Sequence, residues 1–316
     1  QCIAGTTRQE YEDATLLRVQ YFRAMAGLPA EITFNDTFDA RCQEAALMMI
    51  ANRSLSHAPP SSWSCFTQEG ALAAGNSNLA LGSHGPVSID RYMRDEGANN
   101  ARVGHRQWIL FPPQKVMGSG STTVQNGPFI GSNALWVIDQ NSWGPRPSQP
   151  EWIAWPPPGY VPYQVVYPRW SFSFRRADFR SAGVTMIRSG SGVNLTIEHQ
   201  GSGTSTLPDN VLVWAPEGLP SSAPSNDITY SVEIKNVLID GVPRDFSYDV
   251  VIIDPDKVVA QPSPTPTVTP GPVLADWVQK TLDISIHWMQ TGYYGKADVN
   301  GDGRVNESDL FELMVR

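Results

Sequence analysis

The chain has 316 residues, 41% hydrophobic and 17% charged, with a formal net charge of -8. That length accommodates two ordinary domains plus a smaller module, and that composition excludes a disordered chain. With only 23 Lys and Arg and no basic cluster, the sequence argues against nucleic acid or an anionic membrane as partner. No apolar run approaches the roughly 18 residues that span a bilayer, and no charged-then-apolar leader follows Gln1, so the sequence reads as a mature form.

From the N-terminus, Leu16, Leu17, Val19, Phe22 and Met25 recur at helical spacing before Gly27 and Pro29, which predicts an amphipathic helix over 11–26. Asn35 or Asp36 is placed to cap a second helix reaching about Asn52, with Phe38, Cys42, Ala45, Ala46 and Met49 on one face. His57 emerges just past its end, ahead of a loop that Pro59 and Pro60 enforce. A short helix over 86–94 turns Ile89, Tyr92 and Met93 inward and leaves Asp95 at its mouth. The small, polar stretch 97–104 suits a functional loop. Beyond Pro113, 116–124 and 134–138 are short β-prone runs divided by glycine-rich turns.

Trp152, Trp155, Tyr160 and the run 156–159 read as a rigid crossing between domains rather than as a polysaccharide-stacking surface. Strict alternation follows. Trp170, Phe172 and Phe174 point one way and Arg169, Ser171 and Ser173 the other. Tyr230, Val232 and Ile234 alternate with polar residues, and Asp240-Gly241 is a hairpin turn. These strands are spaced like a β-sandwich and resemble the immunoglobulin-like domains appended to secreted bacterial proteins. They carry no catalytic constellation, and His199 is a lone histidine there.

Residues 261–272 alternate proline with serine and threonine, an extended linker. The sharpest local motif lies beyond it. Asp298, Asn300, Asp302, Asn306 and Asp309 place oxygen side chains at positions 1, 3, 5, 9 and 12 of a calcium loop, with Gly303 at the sharp turn and Arg304 contributing its carbonyl. A hard cation needs such a ring of oxygens. The apolar residues that follow, Leu310, Phe311, Leu313 and Met314, make the segment resemble dockerin modules, which attach secreted proteins to cohesins. Dockerins carry two such loops, whereas one is present here. A single hand leaves apolar surface that implies a cohesin-like or self partner.

Three cysteines remain. Cys42 in the helix and Cys65 in the loop after His57 form a candidate disulfide, which leaves Cys2 free or paired between chains. The alternative is three reduced thiols.

The stretch 55–110 carries the candidate cleft. His57 and His105 each lie beside the end of an element, with Asp95 and Glu96 between them in sequence. Two imidazoles and a carboxylate are suited to a divalent metal or to acid/base work. The bland alternative is that both histidines hydrogen-bond neighbouring loops. Leu55-Ser56-His57, Tyr92-Met93-Arg94-Asp95 and Gly104-His105-Arg106, behind the helices of 17–52, resemble the CAP superfamily of cysteine-rich secretory, antigen 5 and pathogenesis-related proteins. Absence of the long cysteine-rich signature points to its bacterial branch. The resemblance implies an α-β-α sandwich with a cleft of two histidines and two acids. His57 and His105 fall on the histidines and Asp95 or Glu96 on the second acid, but Ser77 stands before Asn78-Leu79 where the first acid belongs. Zinc in such a cleft is therefore expected to bind weakly.

The expected organisation is α+β and multidomain: a CAP domain over 8–163, an immunoglobulin-like β-sandwich over 164–258, a linker over 259–273 and a dockerin-like hand over 274–316. The expected function is a secreted or surface-attached binding or structural protein, calcium-dependent in its docking, with a lipid, peptide or glycan in the cleft. A metal-assisted hydrolase and a subunit of an extracellular assembly are the alternatives. No Ser or Cys is placed as an activated nucleophile.

Overall fold

The computed structural model describes residues 2–123, 129–203 and 208–257. The expected calcium loop of Asp298, Asn300, Asp302, Arg304, Asn306 and Asp309, with the expected linker and hand around it, lies outside the described residues.

The first half is helical layers on a small sheet. Helix α1 (Gln9–Met25) precedes a short strand β1 (Thr33–Phe34) and helix α2 (Asp36–Asn52). Asn35 caps α2, its side chain accepting from the main-chain N–H groups of Thr37 and Phe38 at 3.1 Å each. Helix α3 (Gln68–Asn76), strand β2 (Ser77–Leu81) and helix α4 (Gly85–Arg94) follow, then a short α5 (Gly104–Ile109) and strands β3 (Val116–Thr123) and β4 (Gly131–Trp136). The sheet order is β1-β3-β4-β2, with only β1–β3 parallel.

Both faces of this sheet are covered, and alternation along the strands divides them. Leu79, Ala134 and Trp136 meet Cys42, Ala45 and Met49 of α2 and Ala73 and Ala74 of α3. Ala80, Leu135 and Met117 turn the other way, toward Val19 and Phe22 of α1 and Ile89, Tyr92 and Met93 of α4. The result is the α-β-α layering expected. Helix α2 lies directly on β3 because that strand carries glycines: a Cβ at Gly120 would collide with the main chain of Cys42 and Gln43.

The expected Cys42–Cys65 bridge is not formed. Cys2 bonds to Cys65, their Cα atoms 5.1 Å apart, and Cys42 is a free, buried thiol. The reason lies in the helical face. Cys42 points into the sheet, its Sγ 3.6 Å from Ser77 Oγ and 3.7 Å from the Gly118 carbonyl, so it cannot also reach an outer loop. Gln43, one position on, holds the N-terminal segment instead. It donates to the Ala4 carbonyl at 2.9 Å and accepts from Thr7 Oγ1 at 2.9 Å. That brings Cys2 over α2 toward Cys65.

The second half is two packed sheets. One, in the order β11-β12-β7-β5, contains β5 (Ile153–Trp155), β7 (Trp170–Phe174), β11 (Leu195–Gln200) and β12 (Asn210–Pro216). The other contains β6 (Gly159–Pro162), β9 (Gly183–Arg188), β10 (Ser191–Gly192), β13 (Ile228–Ile239) and β14 (Val242–Ile253), with β8 (Ala177–Asp178) beside β13. Asp240 and Gly241 turn the β13–β14 hairpin with φ of 49° and 82°, both left-handed as a tight hairpin requires. Rings interlock between the sheets, Trp170 with Tyr230 at 5.7 Å and Phe172 with Phe246 at 4.9 Å between centroids.

One feature departs from the expected layout. Strand β5 pairs with β7 and β6 with β14, so 153–162, expected within the first domain, are strands of the second half's sheets. The face of β7 bearing Ser171 and Ser173 is also covered. Ser171 is buried and accepts from Arg106 of α5 at 3.0 Å, while Phe22 of α1 packs on Trp155 with ring centroids 5.2 Å apart. One buried cluster runs from Val19, Phe22 and Ile89 through Trp155 to Trp170, Trp214 and Tyr230. The two halves share a core.

Candidate functional site

Two of the four expected cleft residues face one cavity. It is about 380 Å3, and His57 and His105 line it with Asn76, Ser77, Asn78, Asn99, Asn100, Arg102 and Trp108. Helix α3 ends at Asn76 and β2 begins at Ser77, so one wall comes from that junction. The loop before α5 and α5 itself supply the wall opposite in sequence.

His57 is exposed, and its Nδ1 lies 2.8 Å from the Ala74 carbonyl. A carbonyl only accepts, so Nδ1 carries the proton and Nε2 is left as the acceptor of the neutral ring. His105 is more firmly held. Its Nδ1 lies 2.7 Å from Asp95 Oδ1, and its main-chain N–H donates to Asp95 Oδ2 at 2.9 Å. An ionised carboxylate only accepts, which again places the proton on Nδ1. Tyr92 stacks on the imidazole at 5.5 Å, and Asn78 donates from Nδ2 to the His105 carbonyl at 3.0 Å.

Asp95 stands at the end of α4 as expected, but it is buried behind His105, which it orients, and does not line the cavity. Glu96 does not line this cavity. It is exposed and paired with Arg94 at 2.5 Å. Ser77 lines the cavity where a carboxylate was expected, its Oγ against Cys42 Sγ. The cavity thus presents two imidazoles and no carboxylate. Among the described residues no group of three or more His, Cys, Asp and Glu could hold a metal ion. A catalytic zinc takes three protein ligands, so this donor set does not fit one.

The cavity also holds amides that no sequence motif marks. Asn76 donates from Nδ2 to the Leu72 carbonyl at 2.8 Å and Asn100 to the Glu96 carbonyl at 2.6 Å, so with Asn78 three cavity amides are already oriented by main-chain partners. The only available signal was the density of Asn and Gly in 75–78 and 97–104.

Helix α2, the cleft histidines and the strand pair β3–β4 all lie within one stretch that matches a family model. Residues 16–139 match the CAP family, the cysteine-rich secretory protein family. The match ends at Asp139, so it covers the CAP-like half and none of the paired sheets that follow. No curated protein matches the chain at a significant level.

Proposed function

We propose that the protein is an extracellular binding protein whose CAP-like cavity takes a polar, hydroxyl-rich ligand, an oligosaccharide. The observation that carries this is the lining: oriented Asn side chains, two imidazoles, Arg102 and the indole of Trp108. Amides and imidazoles hydrogen-bond sugar hydroxyls, and an indole stacks on the apolar face of a pyranose. A lipid would leave Arg102 and the hydrogen-bonding positions of the amides and imidazoles that their existing partners do not fill desolvated. The Cys2–Cys65 disulfide and the family match support an oxidising, extracellular setting. Titration of the intact chain with neutral oligosaccharides, followed by tryptophan fluorescence, tests the reading. Saturable quenching that Trp108→Ala abolishes is expected; no response to any of them would overturn it.

We propose in addition that residues 298–309 bind calcium and that the surrounding hand docks the protein onto a cohesin-like partner or a second copy. The oxygen spacing of Asp298, Asn300, Asp302, Asn306 and Asp309 supports this. Calorimetry of the intact chain is expected to give one calcium site that Asp302→Ala removes. Light scattering with calcium and with chelator then separates self-association from docking onto another protein. A flat calorimetric trace would end the proposal.

A further inference from the structure

The second half of the chain reaches the site from behind. Arg169, just ahead of β7, donates through Nη1 to the main-chain carbonyl of Asp95 at 2.6 Å and through Nε to the carboxylate of Glu198 at 2.5 Å. Arg106, adjacent to His105 and fully buried, donates through Nε to the Met93 carbonyl at 2.6 Å. Its Nη1 meets the Arg169 carbonyl at 2.9 Å and Ser171 Oγ at 3.0 Å. Met93 and Asp95 are in the last turn and cap of α4, where carbonyls have no donor from their own helix. Two guanidinium groups fill that need, and one comes from the β-sheet half.

The need is greater because of how Asp95 sits. It is left-handed, with φ 52°, a conformation that a non-glycine residue keeps only when its surroundings determine it. Beside it, Gln107 donates to the Asp209 carbonyl at 2.6 Å, and Arg146 grips the Asp209 carboxylate at 2.9 and 2.5 Å. Pro208, next in the chain, forms part of the cavity wall.

We propose that Arg169 is a positioning residue for His105, and that the cavity is a composite site which the β-sheet half completes. Arg169 fixes the carbonyl of Asp95, Asp95 fixes both nitrogens of His105 that face it, and His105 lines the cavity. The ligand half of this statement rests on the oligosaccharide reading; the positioning half does not.

The experiment is heteronuclear NMR of the His105 ring in the intact chain, without ligand and then with the oligosaccharide probes. Arg169→Ala is expected to move the Nδ1 proton and nitrogen shifts of His105 toward those of an exposed imidazole. Glu198→Gln, which keeps the side-chain shape, is expected to move them part of the way. Arg244→Ala, which removes an ion pair with Glu151 on the same half, is expected to leave them in place. Folded Arg169→Ala with unchanged His105 shifts overturns the proposal. Should that variant fail to fold by circular dichroism, unchanged shifts in Glu198→Gln overturn it instead. If His105 moves and oligosaccharide binding weakens with it, the composite site stands. If His105 moves although the unaltered protein binds none of the probes, the positioning role stands and the oligosaccharide reading falls.

Discussion

Asp95 holds His105 by two bonds at once, one oxygen 2.7 Å from the ring Nδ1 and the other 2.9 Å from the main-chain N–H. Two donors of one residue facing two oxygens of another leave the imidazole a single orientation and a single tautomer. Asp95→Asn keeps the size but offers one acceptor and one donor, so one of the two bonds is lost. We expect loss of the low-field Nδ1 proton of His105 and a stability decrease of about 1–3 kcal/mol, the usual cost of leaving a buried donor unmet. Proton NMR and urea denaturation check the two parts separately.

The disulfide gives a second prediction. Cys2 and Cys65 close a loop with a sequence separation of 63 residues. In the chain-entropy picture such a closure contributes about 4 kcal/mol by restricting the unfolded chain. Cys2→Ser is therefore expected to lower the denaturation midpoint by a matching amount, and reductant is expected to do the same to the unaltered protein. Alkylation after unfolding should label Cys42 alone when no reductant is present.

Asp39 makes stability depend on pH. Burial pushes its carboxyl up from 3.8 to about 7, against the opposing hydrogen bond from the Ser119 N–H and with Glu12 and Asp36 adding to the rise. A carboxyl with a raised folded value binds its proton more tightly in the native state than in the unfolded one. Its contribution is therefore full below about 4 and is lost as pH rises through 7. Asp39→Asn keeps an acceptor for Ser119 and removes the charge. We expect the variant to be the more stable protein at pH 8 and to lose its advantage near pH 4, measured by thermal unfolding across that range.

Gly120 tests the contact between α2 and the sheet. A methyl group there meets main chain, which cannot rotate away. Gly120→Ala is expected to destabilise by about 1–3 kcal/mol through overpacking, although alanine suits a strand no worse than glycine. Gly183→Ala, where nothing lies within 4 Å, is the matched control and should be near neutral.

Elements with local signals were legible in sequence. Asn35 ahead of an apolar face gave away α2, Asp240-Gly241 the long hairpin, and the spacing of Ile89, Tyr92 and Met93 the inner face of α4. Helix α3 has a cap, Thr67 accepting from the Gly70 N–H, and helix-favouring Ala71, Ala73 and Ala74, but at nine residues with two glycines it is too short for a clear apolar period. The cleft was half legible. His57 and His105 do share a cavity, but Asp95 faces an imidazole and Glu96 faces Arg94. Direction is set by the left-handed turn at Asp95, which no neighbouring residue type announces. The polar face of β7 does not announce its burial, for a related reason. Ser171 accepts from Arg106 of α5, and Ser173 lies beside it near Arg106 and Gln107; alternation alone cannot distinguish such a face from one in water.

The shared core also sets a timetable. Phe22 and Trp155 touch with ring centroids 5.2 Å apart, yet 132 positions separate them in a chain that is made from one end. Helices α1 and α4 are complete long before Trp155 and Tyr167 exist to pack on Phe22 and Asp90, so the newborn N-terminal half carries a bare face until they are made. The protein is thus obliged to finish as a whole, and a chaperone or export factor that shields the α1–α4 face would be serving in place of strands not yet made.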